Sequence, residues 1–242
     1  MTLISRTLLA LTAALALAGC QKADDAAFGQ RVHAYLMAHP EVIREAVQKL
    51  NEKEQLAAAK ASTEALGKYR AQLERDPRDF VANPDGKFTV VEFFDYRCGY
   101  CKLAAPEVVK LIHDNPDIRF VFKEFPIFGE VSDTAARIAL TAPGKTKGLQ
   151  LYQTWMGEKA LDEAAVDRHL QEAGLDPAAV RKASQDPAIQ RQLTDTRQLA
   201  QALHIEGTPA FIIGDTLVPG ADMTALRAAI TVAKAGNLKK LG

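Results

Sequence analysis

The sequence predicts an α/β domain with a helical block inserted into it and a helical extension ahead of it, and three observations carry that expectation. A hydrophobic strand, residues 87–96, runs straight into Cys98-Gly99-Tyr100-Cys101 at the start of a helix. Residues from about 130 to 203 are almost entirely helix-like. A strand over 208–213, a Gly214-Asp215 turn and the return strand Leu217-Val218 then form a hairpin, which an amphipathic helix over 223–234 closes.

Before this domain, the first six residues carry one positive charge, Arg6, and residues 7–17 form an apolar run with the length of a signal-peptide core. That run is too short to span a bilayer. Leu17-Ala18-Gly19-Cys20 resembles the bacterial lipobox, which implies a lipoprotein-type signal over 1–19 and a lipidated Cys20 as mature N-terminus. More than one acyl chain gives stable membrane attachment, and Gln21 after the cysteine suggests the outer membrane by the lipoprotein pattern. The alternative is ordinary cleavage at Ala16-Leu17-Ala18, leaving a soluble periplasmic protein with a free Cys20. On either reading the working domain sits outside the cytoplasm, where disulfides form and persist.

The next region, 20–78, reads as a helical extension. Phe28, Val32, Tyr35 and Leu36 fall at helical spacing until His39-Pro40 ends the segment. Pro40 can open the following helix, because its missing N–H is unpaired there in any case. From Glu41 to about Glu74 there is one glycine and no proline. Ile43, Val47 and Leu50 make one apolar stripe, and Leu56, Ala59, Thr63, Leu66, Arg70 and Leu73 a second, out of register with the first. So thin an apolar face needs a partner, another copy of the chain or the following domain, unless the helix serves as a spacer from the membrane.

Asp76-Pro77 and Asn83-Pro84-Asp85-Gly86 break the helical pattern, and the domain is expected to run from Asp79 to the end, 79–242. Helix is expected from Cys98 to about His113, with Pro106 inside it and Asp114-Asn115-Pro116 stopping it; 118–125 reads as a second central strand. The helical block, about 130–203, is interrupted at Pro143-Gly144, Gly174-Leu175-Asp176-Pro177 and Asp186-Pro187. Lys plus Arg and Asp plus Glu are equal at 30 each, so no basic balance points to nucleic acid. Nothing after Cys20 is hydrophobic enough to cross a membrane.

The chemistry concentrates at Cys98 and Cys101. A helix beginning near Cys98 sets both sulfurs at its first turn, close enough to close a small disulfide ring. Its unpaired N–H groups and dipole favour a thiolate, the species that attacks disulfides. The chain has three cysteines, and Cys20 has its own explanation, so no structural disulfide remains to be built. Zinc would need a second Cys pair or histidines at ligand spacing, and His33, His39, His113, His169 and His204 are scattered. Against a pair of small core residues stands the polar, turn-like setting of Arg97, Gly99 and Lys102.

Three local features, Cys98-Gly99-Tyr100-Cys101-Lys102 directly after a strand, Pro106 beyond it, and Gly207-Thr208-Pro209 before the later strand, resemble a thioredoxin fold with a helical insertion. More narrowly, Val91-Glu92-Phe93-Phe94-Asp95-Tyr96 and Gly207–Gly214 look like the DsbA family of bacterial disulfide oxidoreductases. The segment Tyr35–Ile43 is similar to the N-terminal helices of ScsC-type members, some of which oligomerise through them. The resemblance implies that Cys98 is the exposed attacking thiolate and Cys101 the resolving thiol. It implies that Glu92 is a buried acid carrying a proton for Cys101; on the adjoining strand Lys123 or Glu124 is a candidate to balance it, with a surface location as the alternative. It implies a cis Pro209 facing the pair, and a Thr208 backbone that receives client peptide as an added strand. Gly99 and Tyr100 between the cysteines, with Thr208 before the proline, resemble disulfide isomerases more than strong oxidases. Trp155, Tyr152 and Phe128 are candidates to line a groove, with core packing as the alternative. The expected activity is therefore thiol–disulfide exchange in the cell envelope, isomerase or reductase in direction. It needs no metal or organic cofactor. Its expected partners are thiol or disulfide client proteins, a redox protein that recycles the pair, and further copies of this chain through the N-terminal helices. The competing reading is a peptide-binding or copper(I)-binding module, with the two thiolates as a soft ligand pair.

Overall fold

The computed structural model describes residues 25–241, with side chains to residue 235. The signal segment and Cys20 lie outside the described residues. The chain divides into two compact units, one ending at Ala59 and the other running from Lys60.

In the first unit, α1 covers residues 25–38, and α2 (Glu41–Lys68) opens just past Pro40. Phe28, Tyr35, Ile43, Val47, Leu50 and Leu56 are each more than half exposed, so the expected apolar stripe is present and uncovered.

The second unit is built on a five-stranded sheet of order β1-β3-β2-β4-β5. Its strands are β1 (Phe80–Ala82), β2 (Phe88–Phe94), β3 (Ile118–Glu124), β4 (Ala210–Ile213) and β5 (Thr216–Pro219). β2 and β3 run parallel, as a helical crossover requires, and the crossover is α4 (Gly99–Asp114). β1 on β3, β4 on β2 and β5 on β4 are antiparallel. Both central strands are buried on two faces, which is why they read as nearly continuous apolar runs. Alternation sorts them: Val90, Phe94, Phe120 and Phe122 face α4 and the insertion, while Val91, Phe93 and Val121 face the other way. The unit boundary precedes the expected Asp79 because Leu66 and Leu73, the latter in α3 (Arg70–Glu74), pack into that second face. The turn before β2 is pinned by Asn83, whose amide donates to Ile112 O at 2.8 Å, and it passes so close to β3 that a Cβ on Gly86 would lie 2.3 Å from Arg119 N.

The insertion comprises α5 (Glu130–Ala139), α6 (Ala142–Thr146), α7 (Gly148–Gly157), α8 (Glu163–Glu172), α9 (Pro177–Ala183) and α10 (Pro187–Ala202). Asp176-Pro177 and Asp186-Pro187 act as expected, each aspartate capping a helix whose first residue is the proline. Pro143-Gly144 differs: it lies within the first turn of α6, capped by Thr141, because proline is tolerated where no N–H is needed. α11 (Met223–Leu241) closes the chain.

Candidate functional site

Cys98 is the N-cap of α4, and its sulfur accepts from Cys101 N at 3.4 Å. Both thiols are free. The Cys98 thiol donates to Thr208 O at 3.2 Å, so the pair faces the Thr208–Pro209 loop, whose peptide bond is cis. Sequence reasoning expected an exposed Cys98; in the structure it is 3% exposed and Cys101 0%. The cause is the loop itself, since a sulfur that caps a helix and also meets the Thr208 carbonyl has little surface left. Tyr100, between the cysteines, is by contrast 67% exposed.

The two thiols ionise differently. Cys98 is lowered to about 5, chiefly because the Cys101 thiol donates to it, with backbone N–H groups of the helix start adding to the effect. Cys101 is raised, first by burial and then by its bond to Cys98 and the field of Glu92. Thr208 Oγ1 is buried without a hydrogen-bond partner while the Cys98 thiol donates to the carbonyl. Once Cys98 ionises it can only accept, so its bond to the Thr208 carbonyl is lost.

Glu92 is fully buried on the face of β2 that α4 and α7 cover. Burial raises its carboxyl to about 8, opposed by the Tyr152 hydroxyl, which donates to Oε1 at 3.1 Å and lies 3.2 Å from Oε2. Neither Lys123 nor Glu124 balances it, because the register sets Phe122 beside Glu92. Lys123 points to the opposite face, where its Nζ meets Asp79 Oδ2 at 2.5 Å and Gln72 O at 2.5 Å. Glu124 instead accepts from Tyr96 Oη at 2.8 Å. Tyr152 and Trp155 are core residues in an aromatic stack with Phe94, Tyr96 and Phe122, whereas Phe128 is half-exposed on the loop after β3.

Sequence reasoning missed Asp95. Its buried carboxylate accepts from Arg97 N at 2.6 Å, Ile127 N at 2.7 Å, Phe128 N at 3.0 Å and Ser132 Oγ at 2.8 Å, fastening the loop after β3 to the threshold of the cysteine pair. Arg97 adds a bond to Phe128 O at 2.9 Å. An acidic residue between an apolar strand and a turn was the available signal. The sequence marks Lys102 only as polar setting; in the structure its ammonium donates to Trp155 O and Glu158 O at the C-terminus of α7, where a cation is favoured. Among the described residues no three histidine, cysteine, aspartate or glutamate side chains cluster as a metal site.

Comparison with known proteins adds independent findings. Residues 89–230 match the family model described as DSBA-like thioredoxin domain, and residues 24–57 the model described as Copper resistance protein ScsC N-terminal domain. The chain is 29% identical over 135 residues to the thiol:disulfide interchange protein DsbA of Bordetella pertussis, covering 53% of this chain and 64% of that protein. It is 30% identical over 170 residues to Na(+)/H(+) antiporter NhaA 1 of Salinispora arenicola, covering 67% of this chain and 26% of that protein. The chain thus spans less than two thirds of the length of either relative. Among solved structures, BcfH of Salmonella enterica Typhimurium matches with a TM-score of 0.69 at 36% identity, over 85% of this chain and 94% of that one.

Proposed function

This chain belongs to the DSBA-like thioredoxin domain family, and from that premise we propose that it is a thiol–disulfide oxidoreductase of the cell envelope, acting through Cys98 and Cys101 as isomerase or reductase. The observation that carries the reading is the split between the two thiols: Cys98 lowered to about 5 at a helix start facing the Thr208 loop, Cys101 buried and raised. Near neutral pH Cys98 is the thiolate that attacks a client disulfide, and Cys101 stays protonated until the mixed disulfide forms. Glu92 then takes the Cys101 proton. Thr208 presents its backbone to the client peptide, which binds as an extra strand with little side-chain selection. Gly99 and Tyr100 tune the pair. Stabilising the Cys98 thiolate favours the reduced form, which an isomerase needs.

The location rests on the same family reading together with the signal-like leader. Among the described residues no helix is long and apolar enough to cross a membrane; the lipobox-like Leu17-Ala18-Gly19-Cys20 supports attachment through a lipid on Cys20. Clients are secreted or envelope proteins, and a separate redox protein recycles the pair.

Cys98→Ser should abolish reactivation of a scrambled-disulfide substrate while leaving the fold intact, and Cys101→Ser should accumulate mixed disulfides with clients. Persistent catalysis by Cys98→Ser would defeat the reading. The similarity of residues 24–57 to a copper resistance protein's N-terminal domain favours one second reading, a two-thiolate copper(I) site. Stoichiometric copper binding by a protein with no exchange activity would establish that reading instead.

A further inference from the structure

Glu92 sits in a sheet that offers it no partner. Its parallel neighbour is Phe122 and its antiparallel neighbour Phe211, both apolar and buried. The titratable groups whose fields couple to it are Cys98 and Cys101 from α4, Tyr96 beyond the end of β2, Glu124 from β3 and Tyr152 from α7. None of these is a cation. The nearest lysine along β3, Lys123, is turned to the other face and consumed by Asp79. A buried carboxyl without a charged partner depends on its hydrogen bonds to hold any charge at all. Only the Tyr152 hydroxyl is within bonding distance of both Glu92 oxygens among the described residues. That hydroxyl is held in place by its ring, which packs edge-on against Phe94 at 5.3 Å and tilted against Phe122 at 4.9 Å.

We propose that Tyr152, contributed by the inserted helical block, is a positioning residue of the redox centre: it donates to the Glu92 carboxylate and so sets how readily that carboxylate accepts the proton of Cys101. This deepens the proposed role of Glu92 and rests on it. In the step concerned, Glu92 takes the proton from the Cys101 thiol, and the Cys101 thiolate attacks Cys98 Sγ in the mixed disulfide. The Cys98–Cys101 bond forms and the Cys98–client bond breaks. The client sulfur leaves as a thiolate, so the client is reduced and the pair oxidised. The inserted block therefore does more than cover the sheet, since among the described residues it supplies the one polar contact of the acid behind the pair.

The test is single-turnover exchange between the reduced protein and oxidised glutathione, with capture of the first glutathione and release of the second timed separately from pH 5 to 10. Wild-type release should rise with an inflection near 8, where Glu92 ionises. Tyr152→Phe preserves the ring packing and removes only the donor. It should move that inflection alkaline by about one to two pH units and slow release at pH 7 about tenfold, the range expected for losing one hydrogen bond to a charged group. Capture, which reports Cys98, should be unchanged. Glu92→Gln should erase the inflection, and adding Tyr152→Phe to it should change nothing more. An unshifted Tyr152→Phe profile, beside a Glu92→Gln variant that has lost its inflection, overturns the Tyr152 assignment alone. An equal Tyr152→Phe effect in the Glu92→Gln background also overturns it, since the tyrosine would then act through packing. An inflection that survives in Glu92→Gln overturns the proton-carrier reading and this inference with it.

Discussion

Cys98 and Glu92 are displaced in opposite directions by folding, and the stability of the reduced protein carries both signatures. Cys98, lowered to about 5 in the folded chain, contributes stability that is complete above the ordinary thiol range and is lost as pH falls through 5. Glu92, raised to about 8, contributes stability that is complete below the ordinary carboxyl range and is lost as pH rises through 8. Between about 5 and 8 the two slopes oppose each other. Glu92→Gln removes only the falling slope, so the reduced variant should gain stability over wild type as pH rises from 5 to 8. Given full burial, the gain should be a few kcal/mol, on the order of the linkage energy of a shift of this size. Urea unfolding at a series of pH values under reducing conditions checks this; parallel curves for the two proteins would contradict it. At this scale the candidate site residues are legible, because a Cys-x-x-Cys after a strand and a lone acid in Val-Val-Glu-Phe-Phe stand out in one dimension. Their partners were not. Tyr152 lies sixty positions from Glu92 in the chain, and no local pattern ties a helix aromatic to a strand carboxyl.

Elements meet at the site through a small number of polar fastenings. Asp95 gathers the end of β2, the loop after β3 and the first turn of α5 onto one carboxylate. Asp95→Ala leaves those donors competing for water in a confined space, which should cost about 2–4 kcal/mol. It should also slow capture of a peptide disulfide, since the loop bearing Ile127 and Phe128 is then held to the threshold of the pair only by the Arg97 side-chain bond to Phe128 O. A denaturant midpoint and the capture rate measured on the same preparation check both; a variant as stable and fast as wild type would show that the loop is held by packing alone. Lys102 does for α7 what Asp95 does for the loop, docking the insertion onto the first turn of α4. The helical character of the insertion is legible in the sequence, and so are the breaks ahead of α9 and α10, because aspartate followed by proline is a local start signal. Pro143-Gly144 was read as a break, since the sequence alone does not say whether a proline stands before a helix or inside its first turn.

Across the whole chain, the two units differ in how they satisfy their apolar side chains. From Lys60 onward the apolar members of the stripe, Leu66 and Leu73, are buried in the sheet domain, while α1 and the earlier part of α2 keep Phe28, Tyr35, Ile43, Val47 and Leu50 more than half exposed. An apolar row of that length favours association, and we propose that the protein self-associates through it. Val47→Glu together with Leu50→Glu should convert the assembly to monomers by light scattering. The double variant should retain exchange with glutathione and, on the proposed isomerase reading, lose reactivation of a scrambled substrate. A wild-type protein that is already monomeric would refute this.

What the sequence by itself determined is the chemistry and the class of fold: two thiols at a helix start, an acid in a buried strand, a proline loop, a hairpin and helix at the end. Each of these is written in neighbouring residues, through period, turn chemistry and spacing. What only the tertiary structure decided is who serves whom. Strand register turned Lys123 away and put Phe122 beside Glu92, the fold of the insertion brought Tyr152 to it, and the cis loop covered Cys98. Contacts between distant segments depend on register and packing, which no local pattern encodes.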